Sequence, residues 1–249
     1  MKNIPVLVYH NICSNNDIQK HNQFMTVSVD KFKKDMDFIK NKYTTIFVSD
    51  LWNYVNNNID LPDNSLMITF DDGYANLYEY AYPIIVDLRV KTTISLVVKK
   101  INFRERNAIA KLQWDQIKEM YNSGYIDFQS HSYDMHEEPI DDNMVRLGCL
   151  QKDGESDKEY VEILQQDYLR SKKEIENQIN NTVISYFYPF GQYSSLSNFA
   201  LTSIGCPITF ISPGVMKKFS KIIPNNLGSL LLINRRLICQ HTNLTDFLI

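Results

Sequence analysis

Short apolar runs and amphipathic segments alternate along this chain. Apolar runs bounded by turn residues predict buried strands, and the segments between most of them carry apolar residues at helical spacing. Strands that alternate with helices predict a parallel sheet, and seven or eight such units favour an α/β barrel over an open sheet. The predicted strands are Ile4–Tyr9, Thr45–Val48, Leu66–Phe70, Thr93–Val98, Tyr125–Gln129, Val183–Tyr188, Ile208–Ile211 and Arg236–Cys239.

Four helices follow from apolar residues that recur at intervals of three and four. The first begins after Ser28, whose hydroxyl suits an N-cap, and the third stops at Gly124, a residue typical just past a helix end. The fourth is the longest, at about 20 residues. Their apolar faces are Phe32, Met36 and Ile39; Tyr78, Tyr82, Ile85 and Val86; Trp114, Ile117, Met120 and Tyr121; and Val161, Leu164, Tyr168, Ile175 and Ile179.

Length and composition fit a globular barrel. The 249 residues are 44% hydrophobic and 22% charged, so residues 1–249 are predicted to form a single domain, with an inserted polar loop at about 137–158. Four cysteines lie far apart without a C-x-x-C pattern and are read as free buried thiols.

Charge and hydropathy exclude two classes of partner and leave two locations open. The net charge of -3 gives no basic face for nucleic acid, and no apolar stretch is long enough to span a membrane. The N-terminus lacks the features of a signal peptide, so we expect a cytoplasmic bacterial protein, or an extracellular or cell-surface one if the chain is a trimmed mature form. The sequence gives no oligomeric state.

Polar clusters follow three of the predicted strands. Asp71-Asp72-Gly73 follows Leu66–Phe70, His131 to His136 follows Tyr125–Gln129, and Tyr188-Pro189-Phe190-Gly191 comes at the end of the Val183–Tyr188 run. Because strand C-termini open on one face of a parallel barrel, these clusters should converge although 59 residues separate Asp72 from His131. Polar residues at that face are typical of catalysis.

Two imidazoles and two adjacent carboxylates suit a divalent metal with an open position. His131 and His136 with one carboxylate would bind the ion, and the other carboxylate would face the bound water as a base. Zn²⁺ suits these ligands best, and Co²⁺ and Ni²⁺ share the set. A backbone N–H in the Tyr188–Gly191 turn could face a developing oxyanion.

Several further residues are candidates at the same face. His10 ends the first strand and His241 follows the last, so either is a candidate general acid, and either could be structural. Tyr74, Tyr133 and Tyr193 lie near the motifs and are candidate substrate-binding residues that would stack on sugar rings, or else pack internally. Arg235 and Arg236 are read as a solvated or ion-paired strand start.

At these residues the chain resembles the polysaccharide deacetylases of carbohydrate esterase family 4. Thr69-Phe70-Asp71-Asp72-Gly73 is similar to the first family motif, and His131-Ser132 with His136 to the second. The opening Pro5–His10, the Trp114–Met120 and Asp167–Lys172 segments, the wider histidine spacing and Tyr-Pro-x-Gly resemble the poly-N-acetylglucosamine (intercellular-adhesin) de-N-acetylase branch. The resemblance runs from about residue 4 to residue 240.

The resemblance implies a distorted (β/α) barrel that hydrolyses N-acetyl groups of hexosamine units in a poly- or oligosaccharide and releases acetate. Asp71 would be the base, Asp72, His131 and His136 the metal ligands, and the Phe190 N–H part of the oxyanion hole. The chain departs from the family at Phe187, where the family has an arginine that orients the base, and it has no clear Leu-x-His near the C-terminus. The alternatives are a metal-dependent esterase or amidase on another acetylated substrate, and a non-catalytic carbohydrate-binding barrel.

Overall fold

Eight parallel strand segments form a nearly closed barrel in the computed structural model, which describes residues 1–102, 109–136, 146–212 and 218–248. The segments are β1 (Val6–Tyr9), β2 (Ser65–Phe70), β3 (Thr92–Val97), β4 (Ile126–Ser132), β5 (Ser185–Phe187), β6 (Ile208–Ile211), β7 (Ile233–Asn234) and β8 (Arg236–Leu237). Their order around the barrel is β7-β6-β5-β4-β3-β2-β1-β8. The predicted α/β barrel with seven or eight parallel strands is therefore confirmed.

The last two segments join the two edges of the sheet. Only Arg235 separates β7 from β8; β7 pairs with β6, whereas β8 pairs with β1. The backbone N–H of Arg235 still donates to the Ile211 carbonyl at 3.1 Å, and the N–H of Ile238 donates to the Val8 carbonyl at 2.9 Å. One bent stretch of chain thus brings the first and sixth strands together.

Helices connect the successive strands from β1 to β6. In the described ranges the helices are α1 (Val29–Lys42), α2 (Val48–Asn56), α3 (Tyr82–Leu88), α4 (Trp114–Asn122), α5 (Asp157–Ile179) and α6 (Ser195–Ser203). Three of the four predicted helices appear as α1, α4 and α5, and the second appears as α3 preceded by a π-helical turn, Leu77–Ala81. Ser28 caps α1 as predicted, because its Oγ accepts the N–H of Lys31 at 3.3 Å.

The predicted strand Thr45–Val48 is wrong. Only Thr44–Thr45 is extended, paired with β2, and Val48 begins α2. The side chain of Asp50, inside the helix, accepts the N–H of Phe47 at 2.8 Å and pairs with Lys91 at 2.9 Å. The first turn of α2 is therefore stabilised by Asp50, an acid inside the helix. The apolar residues before Asp50 resemble a strand in the sequence.

Alternate strand side chains belong to two buried clusters. Leu66, Ile68 and Phe70 of β2 pack in the larger one, which also holds residues of α1, α4 and α5, while Met67 packs in the smaller one with residues of α2. This alternation fixes the register of β2, which ends at the aspartate pair.

Smaller elements cover the barrel ends. Lys2–Asn3 pairs antiparallel with Lys221–Ile222, and Asn11–Cys13 pairs with Thr26–Ser28. The predicted inserted loop, 137–158, lies in part outside the described residues, and its described remainder leads into α5. A single domain over 1–249 stays a prediction. Among the described helices, none combines the length and apolar character that crossing a bilayer requires.

Candidate metal and catalytic site

Asp72, His131 and His136 meet at the C-terminal face of the barrel. One ligand atom from each lies within 4.8 Å of those of the other two. Asp72 Oδ1 is 3.0 Å from His136 Nε2 and 3.8 Å from His131 Nε2. The three predicted metal ligands are thus brought together from the ends of β2 and β4, although they are far apart in the sequence.

The turn after β2 directs its two acids to different partners. Asp72 has a left-handed backbone with φ of 71°, a conformation that aspartate tolerates better than most residues, and Gly73 continues it at φ 62°. Asp71 is still held to the sheet, because its N–H donates to the Tyr9 carbonyl at 3.1 Å. With the chain reversed at Asp72, the Asp72 carboxylate lies beside the histidines, whereas that of Asp71 lies beside Ser95 and Arg235.

His131 presents a neutral ring with one nitrogen turned toward Asp72. Its Nδ1 lies 2.7 Å from the Phe187 carbonyl, so Nδ1–H donates there and Nε2 keeps its lone pair. Burial lowers the pKa of His131 to about 4, against the opposing effect of Asp71. The ring is therefore uncharged at neutral pH, which is the form that binds metals.

The three residues fit a divalent cation. Asp72 Oδ1 is buried and accepts no hydrogen bond in the described part of the chain, although His136 Nε2 is close to it. Burial would raise the pKa of Asp72, yet the nearby His136 and Lys111 hold it well below its ordinary value. A buried, ionised carboxylate with an orphaned oxygen beside two imidazoles is the donor set that Zn²⁺ prefers, with room for a further ligand.

Asp71 forms a bidentate ion pair with Arg235. Its Oδ1 and Oδ2 each accept from one guanidinium nitrogen at 2.7 Å, and Oδ1 also accepts from Ser95 Oγ at 2.7 Å. Burial alone would raise the pKa of Asp71, but the Arg235 charge brings it well below its ordinary value. Asp71 is therefore a carboxylate at any pH near neutrality, and its orientation is fixed.

Of the two alternatives predicted for Arg235, a solvated or an ion-paired residue, this contact supports the ion pair. The residue is only 1% exposed, and its guanidinium lies 4.9 Å from the centre of the Phe187 ring. Phe187 occupies the place where the resemblance expects an arginine, so the counter-charge comes from the closing strand instead. One sequence signal for it exists: charged residues interrupt the apolar run Leu230–Ile238.

His10 lies in the same cavity, whereas His241 does not. His10 Nε2 is 3.9 Å from Asp71 Oδ2, and burial lowers its pKa although Asp71 and Asp72 oppose that effect. His241 is exposed and lies 2.9 Å from the side chain of Gln23, outside the cavity that holds the other candidates. The geometry therefore favours His10 of the two candidate acids.

The Tyr188–Gly191 turn forms the opposite wall. Phe190 has a left-handed φ of 55°, and its ring packs 4.5 Å from that of His136. Gly191 is required next to it, because a Cβ there would lie 2.6 Å from the Ser212 carbonyl oxygen, and φ is +67°. That the N–H of Phe190 serves an oxyanion stays a prediction.

The three predicted sugar-binding tyrosines lie outside the cavity. Tyr74 packs under Lys111, with Nζ 3.6 Å from the ring centre; Tyr133 packs under Arg170; and Tyr193 is 43% exposed beside Tyr188. The cavity itself has a volume of about 230 Å³ and is lined by His10, Met25, Asp71, Asp72, His131, His136, Phe190, Gly191, Ser212 and Leu237.

The chain belongs to the polysaccharide deacetylase family, whose model matches residues 58–208. This match confirms the family that the motifs predicted. The matched span contains the aspartate pair, both histidines and the Tyr188–Gly191 turn, and it ends before Arg235.

Two curated relatives agree with this assignment, and a solved structure shares the fold. The chain is 26% identical over 192 residues to the putative polysaccharide deacetylase YxkH of Bacillus subtilis (strain 168), covering 77% of this chain and 58% of that protein. It is 28% identical over 114 residues to the poly-beta-1,6-N-acetyl-D-glucosamine N-deacetylase of Staphylococcus aureus (strain MRSA252), covering 45% and 38%. The chain thus spans less than two thirds of these curated relatives. The de-N-acetylase from Aggregatibacter actinomycetemcomitans shares the fold, with a TM-score of 0.81, 24% identity and 99% coverage of both chains.

Proposed function

We propose that this protein hydrolyses N-acetyl groups of N-acetylhexosamine units in a poly- or oligosaccharide. The reaction uses a divalent cation held by Asp72, His131 and His136, and Zn²⁺ is the first candidate for this cation. One observation supports the proposal. The metal-type donor set, with its unpaired Asp72 oxygen, shares one cavity with the ionised carboxylate of Asp71. A carbohydrate-binding barrel without catalysis needs no base with its own buried counter-charge. The family match and the N-deacetylase relative support this substrate class.

The residues divide the chemistry between them. A bound cation would supply Lewis-acid polarisation of the acetyl carbonyl and acidify water at its open position. Asp71 accepts a proton from the attacking water, whose oxygen forms a bond to the carbonyl carbon. Arg235 keeps that carboxylate ionised and in place beforehand, and the Phe190 N–H faces the oxygen on which charge develops.

His10 completes the proton path. When the carbon–nitrogen bond breaks, the leaving amine needs a proton, and His10 Nε2 lies 3.9 Å from Asp71 Oδ2. His10 is partly buried, and its pKa is lowered, so its neutral ring can receive the proton from Asp71 and deliver it to the amine without leaving net charge behind. The products are acetate and a free amino sugar.

The function is tested by acetate release from N-acetylated and O-acetylated hexosamine oligomers, with and without a chelator. We expect release from the N-acetylated series, loss of it with chelator, and recovery with Zn²⁺. His136→Ala should bind no Zn²⁺ and release no acetate while it stays folded by circular dichroism. His241→Ala is the matched control, since its ring lies outside the cavity. Release that persists in chelator, or only from O-acetylated oligomers, would contradict the proposal.

His10→Asn is expected to lower turnover by about 10²-fold or more, because the amine loses its proton donor. Bound Zn²⁺, measured by mass spectrometry of the native protein, should be unchanged, since His10 is not a ligand. His241→Asn should keep native turnover. Equal loss in both variants would mean that the acid has been misassigned.

A further inference from the structure

The turn between the two metal-binding histidines is irregular. β4 ends at Ser132, directly after His131, and residues 133–135 carry the chain to His136. A spacing of five residues does not place two side chains on one face of a helix or on one face of a strand. The position of His136 relative to His131 therefore depends on how this turn is held.

Asp167 of α5 binds two successive amides of that turn. Its Oδ1 accepts the N–H of Tyr133 at 2.9 Å, and its Oδ2 accepts the N–H of Asp134 at 2.8 Å. Both oxygens are thus used, and consecutive N–H groups that point at one anion form a concave, rigid arrangement of backbone. Hydrogen bonds to a charged acceptor are about twice as strong as neutral ones.

Other contacts hold the same turn from both sides. Arg170, less than one helical turn along α5, places its guanidinium 3.8 Å from the centre of the Tyr133 ring. On the far side, the Lys99 N–H donates to the Tyr133 carbonyl at 2.9 Å, and the Lys99 side chain pairs with Asp134. Lys100 Nζ donates to the His136 carbonyl at 3.2 Å. The turn is held between α5 and the residues that follow β3.

The burial of Asp167 disfavours its ionised form. The residue is 9% exposed, and burial raises its pKa to about 6 against the opposing effect of the turn amides. Within the described ranges it forms no ion pair, and its polar contacts are with the turn. A buried acid contributes little as a surface charge. The contribution of Asp167 comes instead from ordering the backbone of the 133–135 turn.

We infer that Asp167 is a positioning residue for the metal site, which fixes the 133–135 turn and thereby holds His136 where it shares a cation with Asp72 and His131. This inference rests on the metal centre of the proposed function. By this inference α5 controls the metal affinity of the site through Asp167, although the helix contributes no ligand. Partners that orient ligands in this way typically change metal affinity by about 10- to 100-fold when they are removed.

The test compares Zn²⁺ affinity, by competition with a chromophoric chelator, in the native protein, Asp167→Asn and Ser171→Ala. Asn keeps the shape but presents an NH₂ group to an amide N–H, so we expect Zn²⁺ to bind about 10-fold or more weakly. Ser171→Ala is the matched control: it removes a 2.7 Å contact between the same helix and Ser130 of β4 but leaves the turn alone. A purely structural role would lower the melting temperature in both variants and leave Zn²⁺ affinity native in both.

The outcomes separate the inference from the proposed function. If the native protein binds no Zn²⁺, the metal centre and the inference fail together. If the native protein binds Zn²⁺ and folded Asp167→Asn binds it equally well, the inference alone is overturned. Acetate release by the native protein is measured separately and does not enter this comparison.

A second measurement needs no variant. Coupling between two sites is reciprocal, so a turn that controls Zn²⁺ binding must itself be stabilised by Zn²⁺. We expect Zn²⁺ to slow hydrogen exchange at the amides of Tyr133 and Asp134 more than at those of α4. Exchange at these two amides that is indifferent to Zn²⁺ would overturn the inference even if Asp167→Asn does not fold.

Discussion

Asp71→Asn is expected to reduce acetate release by about 10²- to 10⁴-fold while the protein still binds Zn²⁺, because asparagine cannot take a proton from water. Zn²⁺ binding persists because Asp72, and not Asp71, faces the histidines. The measurements are kcat by acetate release and Zn²⁺ content by mass spectrometry. Asp72→Asn is the paired variant, which should lose both properties.

The substitution at Asp71 also leaves Arg235 buried without its carboxylate. We expect a loss of about 3–5 kcal/mol in the free energy of unfolding, as for the removal of one partner of a buried pair. Kinetics are therefore measured well below the melting temperature, with folding checked by circular dichroism. A folded Asp71→Asn protein with near-native kcat would reject Asp71 as the base.

Arg235→Gln should lower the free energy of unfolding of the protein and raise the pKa of Asp71. The stability loss is again about 3–5 kcal/mol, because a charge buried with one partner is left alone. Without the guanidinium, burial dominates and the pKa of Asp71 rises. The acid limb of the pH–rate profile should therefore move to higher pH, with activity lost where the native protein is still active.

The same pair makes stability depend on pH in a defined direction. Because the pKa of Asp71 is lowered in the folded state, the pair contributes its full stability above about pH 4, the ordinary range of an aspartate, and loses it as the pH falls further. Arg235→Gln should lack this acid-dependent loss. Arg236→Gln, the adjacent residue with its guanidinium 5.1 Å from the Phe247 ring, is the control and should keep the native pH–rate profile. An unshifted acid limb in Arg235→Gln would contradict the role of Arg235.

The parts of this fold that the sequence predicts are those with a local physical signature. Ser28 followed by Phe32, Met36 and Ile39 specifies α1, because a hydroxyl cap and an apolar face are both local. The sequence does not predict α2, because its first turn is stabilised by Asp50 from within and by Lys91 from a distant part of the chain. It does not predict β7 either, because two residues are too few for a strand pattern, nor α6, although a serine cap precedes that helix.

The candidate site divides in the same way. The convergence of Asp72, His131 and His136 follows from strand ends that open on one face, which a linear motif can reveal. The roles of Arg235 and Asp167 could not be predicted from the sequence, because one pairs with a residue of a distant strand and the other binds backbone amides of a different element. Which of His10 and His241 shares the cavity depends on where the chain goes after its last strand, and this is a tertiary property.

The order in which the chain is synthesised gives the closing strand a particular consequence. A nascent chain released as far as residue 212 already contains Asp72, His131 and His136, yet it lacks Arg235. In such a chain the guanidinium that donates to both carboxylate oxygens of Asp71 is missing. The base thus gains its counter-charge only after residue 235 has been synthesised, so a product truncated before β7 would carry the ligands for the cation without the residue that orients the base.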